Sequence, residues 1–336
     1  MSNMRAWTFD EPAPIAATGL RIEERARQEP AADEVVVKVR ACGVCRTDLH
    51  LVEGDLTPRR PGVTPGHQVV GEVVAIGADV TRFGVGDRIG IAWLRRTCGT
   101  CQWCRAGREN LCPDSRYTGW DADGGFAEYA AVPAAYAYEI PDDYSDERAA
   151  PLLCAGIIGY RSLRRAQLPP GGRLGIFGFG ASAHITAQIA AAEGAELVVL
   201  TRGEAGRELA EELGATFVGG AYDRPPMPLD AAIVFAPAGD IVPVALESVG
   251  PGGTVAIAGI HLSDIPTLDY ERHLFYEREL RSVTSNTRRD GEELLRLAAR
   301  MDVDVHTTRY PFDALDDALR DLAASAFSGA AVVVNE

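Results

Sequence analysis

The chain has 336 residues, 46% hydrophobic and 24% charged, values of a globular protein with enough apolar side chains for two domains or one large one. Its 33 basic and 48 acidic side chains leave a net charge of -15, which disfavours nonspecific binding to nucleic acid or anionic membranes. Lys38 is the only lysine, so a GxxxxGK[ST] phosphate loop is excluded and a Schiff-base enzyme would have a single candidate.

The opening MSNMRAWTFDEP has no apolar core of a secretory signal, and the expectation is a cytoplasmic protein without a membrane span. Residues 1–150 read as short strands between Gly, Pro and Asp clusters: EVVVKVRA, GHQVVGEVVAIG, GDRIGIAW and GGFAEYAAVP. A β-rich, barrel-like domain is expected there. At about residue 152 the pattern changes, and PLLCAGIIGYRSLRRAQL reads as a helix ending at Pro169. Strand and helix then alternate through GRLGIFGF, SAHITAQIAAAEG, AELVVL, GEAGRELAEELG, ATFV, DAAIVFA, VPVALESVG and GTVAIAG. This βαβ alternation predicts an α/β domain with a doubly wound parallel sheet. The tail adds the helices ELLRLAARM and ALDDALRDLAAS and a strand, GAAVVVNE, that could return to the first domain.

Seven cysteines are an odd number, which argues against a disulfide framework. Cys98, Cys101, Cys104 and Cys112 form C-x2-C-x2-C-x7-C on a Gly-containing loop, a spacing that folds four thiolates around one metal ion. Four sulfurs leave no position for substrate, so this is a structural zinc site, holding a lobe with little apolar content. Cys42, Cys45, Cys154 and His67 offer a sparser set. Spacing alone does not select Cys45, His67 and Cys154 from other combinations, nor separate zinc ligation from buried structural Cys and His. GIFGFGASA presents Gly178, Gly180 and Ala183 as G-x-G-x-x-A between a strand and a helix. In that context Gly178 makes the tight turn, Gly180 lets a pyrophosphate approach, Ala183 permits close packing, and the first helical turn with Ala181 and Ser182 offers free N–H groups.

With GVCRTDLH, PGHQVVGEVVAIG, GDRIGI, the four-cysteine lobe, GGFAEY and LLCAGI in this order, the chain resembles the zinc-dependent medium-chain alcohol dehydrogenases, in particular bacterial propanol-preferring or zinc-binding forms. The resemblance spans essentially the whole sequence. It implies a GroES-like catalytic domain over 1–154 with the zinc lobe at about 95–113, a Rossmann cofactor domain over 155–286, and a return to the catalytic domain over 287–336. Carried over residue by residue, it makes Cys45, His67 and Cys154 ligands of a catalytic zinc, giving two Zn2+ per chain. Asp48 would orient His67, Thr47 and His50 would relay the alcohol proton through the nicotinamide ribose to solvent, and Arg46 would meet the cofactor pyrophosphate. His261, Leu262 and Asn286 fall where similar enzymes contact the cofactor, whereas His184, His273 and His306 read as surface or helix-packing residues. Gln68 departs from the family, which usually has Glu there, and a neutral amide is a weaker donor to a hard cation.

Trp93 and Trp120, with Tyr117 nearby, lie in segments that line the substrate cleft of similar enzymes, although core packing would explain them equally. As cleft walls they imply apolar or aromatic alcohols and aldehydes over sugars. After the strand ending at Leu200 stand Thr201 and Arg202, with no carboxylate for an adenosine ribose; NADP(H) is therefore expected over NAD(H), with Glu204 the competing ribose acceptor. The rival expectations are a zinc-independent quinone or enone reductase and a non-catalytic zinc- and cofactor-binding sensor. A homo-oligomer, dimer or tetramer, is expected.

Overall fold

Valines at 35, 36, 37 and 39 make the run Glu34–Val44 a strand buried along most of its length. It accordingly takes partners on both sides: Val69–Ile76 antiparallel on one, and Tyr129–Pro133 with Ala330–Val334, both antiparallel, on the other. In the computed structural model, which describes residues 3–335, this strand is central to a seven-stranded sheet. From Val69–Ile76 the sheet continues through Arg88–Ile91 to Ala137–Glu139, and Thr307–Pro311 pairs parallel with Ala330–Val334. The final strand thus returns to the first sheet. Separate from it, Asn3–Thr8 and Arg21–Ala26 form an antiparallel hairpin that the sequence reading did not anticipate.

Two units divide the chain. The first holds the residues up to Cys154, Ser285–Arg300 and those from Val305 onward; the second holds Ala155–Thr284 and Met301–Asp304. In the second, six parallel strands run in the order Phe217–Gly219, Glu196–Leu200, Arg173–Phe177, Leu229–Val234, Val249–Ile257, Glu279–Ser282. This is the doubly wound order whose direction of assembly reverses between Arg173–Phe177 and Leu229–Val234, the point where ligands bind beyond the carboxyl ends in such sheets. Gly178 follows Arg173–Phe177 at φ 89°, and a Cβ there would stand 2.9 Å from the Ala236 backbone nitrogen. Only glycine fits that turn.

Two local departures from the sequence reading bear on the site. Arg46–Glu53, read only as part of a motif, is a helix: the Cys45 sulfur accepts from Thr47 N, Asp48 reaches back to Cys45 N, and Gly54 closes the C-terminus at φ 94°. This is a capping box with cysteine in the place usually taken by serine or threonine. The helix expected over 151–168 is instead a 3-10 turn, Ala150–Leu153, a break at Cys154 with φ -134° and ψ -66°, and a helix Ala155–Ala166. It stops short of the prolines because Gln167 adopts φ 52°. Among the described residues no helix is long and apolar enough to cross a membrane.

Candidate active site

The capped helix fixes Cys45 at its N-terminus, the loop before Val69–Ile76 carries His67, and the break at 154 turns the third cysteine from helical continuation. Their ligand atoms lie within 4.8 Å of one another. Asp48, 2% exposed, organises this trio: one carboxylate oxygen accepts from Cys45 N at 2.9 Å, and the other from Gly66 N at 3.0 Å and from His67 Nδ1 at 3.2 Å. With the Nδ1 proton given to Asp48, the Nε2 lone pair is the free end of the imidazole. That atom is buried and has no hydrogen-bond partner among the described residues. A buried acceptor beside two sulfurs fits a metal ion.

The electrostatics among these donors point the same way. A hydrogen bond from Cys154 holds the Cys45 thiol well below its ordinary range against the opposing effect of burial, with further help from His67. The same bond and burial push Cys154 up. Burial pulls His67 down, but Asp48 and Cys45 outweigh it and raise the imidazole to about 10. The centre thus already favours a deprotonated Cys45, and a cation bound there would displace the protons that the other donors still carry.

The four-cysteine lobe is a closed counterpart. Cys98, Cys101, Cys104 and Cys112 place their sulfurs within 4.8 Å of one another, with Cys101 to Cys104 and Cys112 to Cys98 at 3.5 Å and Cys98 to Cys104 at 4.0 Å. Zinc–sulfur bonds in tetrahedral geometry require sulfur separations of about 3.8 Å, so little adjustment is needed to hold an ion. Backbone N–H groups of Cys98 and Cys101 already donate to Cys112 and Cys98 sulfurs at 3.4 and 3.3 Å. Glu109, within the lobe, accepts from the Arg288 guanidinium and from Arg288 N at 2.8 Å, tying the lobe to the start of helix Arg288–Met301.

Thr47 Oγ1 stands 3.5 Å from Cys45 Sγ. His50, three residues on and hence on the same helix face, pairs through Nδ1 with Asp55 Oδ2 at 2.9 Å. Asp55 was missed in the sequence; it lies beyond the helix, and only the left-handed Gly54 turns it back onto His50. Arg46 donates to Leu322 O at 3.4 Å and Ser325 Oγ at 3.3 Å, at the end of helix Leu315–Ala324. Gln68 is buried, its amide packed on Gly43, where a Cβ would meet it at 2.9 Å, and its Oε1 has no hydrogen-bond partner among the described residues.

Trp93, read as cleft wall or core, is both buried and beside the centre. Its ring meets His67 edge-on at 4.9 Å and stacks with Tyr117 at 4.9 Å and Trp120 at 5.8 Å. In the second unit, helix Ala181–Ala192 begins at Gly180 with no side-chain cap, leaving its first N–H groups for another acceptor, and Ala183 is fully buried. Thr201 is buried, Arg202 exposed, and Glu204 opens the next helix, Glu204–Glu212. His261 is exposed and Leu262 packs on the apolar cluster under the sheet. Asn286, expected in the cofactor domain, groups with the first unit, where its amide donates to Tyr138 Oη at 3.4 Å and Thr287 O at 3.1 Å. His184 and His273 are buried helix residues, and His273 bonds Glu247 at 3.2 Å.

Two family models match, the alcohol dehydrogenase GroES-like domain over residues 31–142 and the zinc-binding dehydrogenase over 181–300. The chain is 57% identical over 338 residues to a protein of Mycobacterium tuberculosis named probable alcohol dehydrogenase AdhA, covering 99% of this chain and 98% of that one. It is 33% identical to an alcohol dehydrogenase of Geobacillus stearothermophilus, with 94% and 96% covered. Among solved structures, a cinnamyl alcohol dehydrogenase of Sorghum bicolor superposes with a TM-score of 0.90 at 25% identity, covering 99% and 98%. A chain described as a zinc-binding dehydrogenase from Sinorhizobium meliloti 1021, bound to NADP, gives 0.89 at 29% identity with both chains fully covered.

Proposed function

Because this chain belongs to the zinc-dependent medium-chain alcohol dehydrogenase family, with its GroES-like and Rossmann domains, we propose that it interconverts primary or aromatic alcohols and their aldehydes using NADP(H). That it is an NAD(P)-dependent oxidoreductase acting on CH–OH is the family's chemistry. The observation that carries the finer reading is the convergence of Cys45, Cys154 and His67, the last with its buried Nε2, beside three stacked aromatic rings.

Three donors leave a fourth position open, so this trio is assigned the catalytic zinc, and the closed Cys98, Cys101, Cys104 and Cys112 set the structural one. When bound, the metal supplies Lewis acidity at the alcohol or aldehyde oxygen and the nicotinamide supplies the hydride donor or acceptor. The chain's own residues do the rest. Asp48 holds the His67 tautomer, Thr47 Oγ1 takes the alcohol proton, and His50, backed by Asp55, passes it to solvent. Arg46 spends one nitrogen on the helix end and keeps others for a pyrophosphate. Gly178, Gly180, Ala181, Ser182 and Ala183 form the phosphate turn, with His261, Leu262 and Asn286 as further cofactor contacts. The planar stack of Trp93, Tyr117 and Trp120 favours apolar and aromatic substrates, in line with the name of the Sorghum relative. His50→Gln is expected to slow alcohol oxidation by about ten- to a hundredfold, most at low pH, with partial rescue by small basic buffers. An unchanged pH–rate profile removes His50 from the relay.

NADP(H) is favoured because Thr201 and Arg202 follow Leu200 with no carboxylate to repel a 2′-phosphate. Glu204 has its own local task, an acidic side chain in the first turn of a helix. The similar Sinorhizobium meliloti chain was solved with NADP. The test is kcat/KM for NADPH and NADH in the wild type and Arg202→Ala. A loss of about tenfold or more confined to NADPH is expected; equal NADH efficiency before mutation, or no NADPH loss after it, refutes the preference. Self-association is proposed as well, since strand Glu279–Ser282 pairs on one side only among the described residues, with Tyr270, Phe275 and Tyr276 exposed in the preceding segment.

A further inference from the structure

Arg59 has no part in the chemistry assigned above, yet it is bound in an unusual way for an exposed arginine. Its Nη1 donates to both carboxylate oxygens of Asp121, at 2.9 and 3.0 Å, and its guanidinium carbon lies 3.7 Å from the centroid of the Trp120 ring. The Asp121 side chain is 3% exposed and also accepts from Tyr117 N at 2.8 Å. Trp120 is held at its other end, where Nε1 donates to Thr57 O at 2.8 Å. Segments 57–60 and 117–123 are therefore laced together, and Arg60 Nη2 likewise donates to both carboxylate oxygens of Asp123 at 3.0 Å.

The rings between Arg59 and the metal centre form one cluster of near-parallel planes, each ring next to the other two. Trp120 lies 14° from parallel with Trp93 and 30° from Tyr117, Trp93 and Tyr117 are 22° apart, and Trp93 meets His67 edge-on. A cation over the Trp120 ring, itself anchored on the buried Asp121 carboxylate, sets the tilt of that ring. We infer that Arg59 is a positioning residue for substrate selection: paired with Asp121, it holds Trp120 parallel to Trp93, so that a flat wall stands beside the metal centre and planar alcohols are preferred to aliphatic ones. The inference rests on the proposed reading that alcohols bind at the Cys45, His67 and Cys154 centre. Offset stacking depends on ring orientation, whereas dispersion contact with an alkyl chain does not. Loosening the wall therefore penalises the planar substrate selectively.

The experiment compares benzyl alcohol and 1-propanol in the zinc-loaded wild type, Arg59→Gln and Arg59→Lys, with near-UV circular dichroism of each protein. In Arg59→Gln the benzyl-to-propyl ratio of kcat/KM is expected to fall by about three- to tenfold, the range an aromatic pair contributes, through KM and with kcat within about twofold. The tryptophan dichroism changes as the ring couple loosens. Arg59→Lys keeps the charge and loses the planar guanidinium that lies over Trp120, so its ratio lies between. Should the glutamine variant fold poorly, the lysine variant carries the same test. An unchanged ratio, or an equal loss for both alcohols, overturns the inference. A wild-type ratio below one overturns the aromatic-substrate reading instead, and the change between wild type and variant still judges Arg59.

Discussion

Cys45→Ser is expected to lower alcohol turnover by at least about a thousandfold, the loss of several kcal/mol of charge stabilisation at the reacting oxygen, with the fold retained. The substitution isolates the ligand role because serine is itself a preferred N-cap. The helix Arg46–Glu53 keeps an acceptor for its first turn, and Asp48 still reaches the backbone of residue 45. Zinc content should fall from two per chain towards one, with little change in thermal midpoint. Wild-type turnover with two zinc ions per chain would refute the catalytic assignment.

Cys101→Ser is expected to have the opposite profile. The lobe at about 95–113 contains a four-residue helix, Gln102–Arg105, with no buried residue, so apolar packing contributes little to its order. Metal binding supplies that order, and its free energy in structural sites is folding free energy of about 10 kcal/mol or more. A thermal midpoint lower by at least about 5 °C, loss of one zinc and new proteolytic cleavage within the lobe should follow. Residual turnover should persist while the chain stays folded. The bidentate hold of Glu109 on Arg288 keeps one end of the lobe attached, so cleavage should concentrate nearer Cys98 to Cys104 than Cys112. An unchanged midpoint with both zinc ions retained would show that the four cysteines do not hold a structural ion.

The contrast between these two sites is also the contrast between what could and could not be read from the sequence. The four lobe cysteines fall within fifteen residues, so their spacing alone implies a shared centre, and the sulfurs indeed converge. The glycine turn carries its own context in the same way, since strand, turn and helix are contiguous and the tight approach at Gly178 is a local backbone requirement. The parallel, doubly wound character of the second unit's sheet follows from the alternation of strand and helix patterns along the chain.

Cys45, His67 and Cys154 are separated by long stretches of chain, and no local rule joins them; family resemblance had to select the trio. What brings them together is tertiary: a cysteine acting as helix cap, a buried Asp48 bridging two loops, and a helix broken at 154. Cysteine is an uncommon cap and the 151–168 run looks uniformly helical, so local propensity concealed both features. Asp55, Glu109, Arg59 and Asp121 passed unnoticed for the same reason, because an ion pair 62 or 179 residues apart leaves no periodic trace. By itself the sequence determined the fold class and the chemistry of donors within one loop, where the chain's own geometry limits the outcomes. Only the tertiary structure decided which distant donors share a centre and which charges hold its walls, because those contacts depend on loop closure across the first unit's sheet, and loop closure is not encoded by neighbours in sequence.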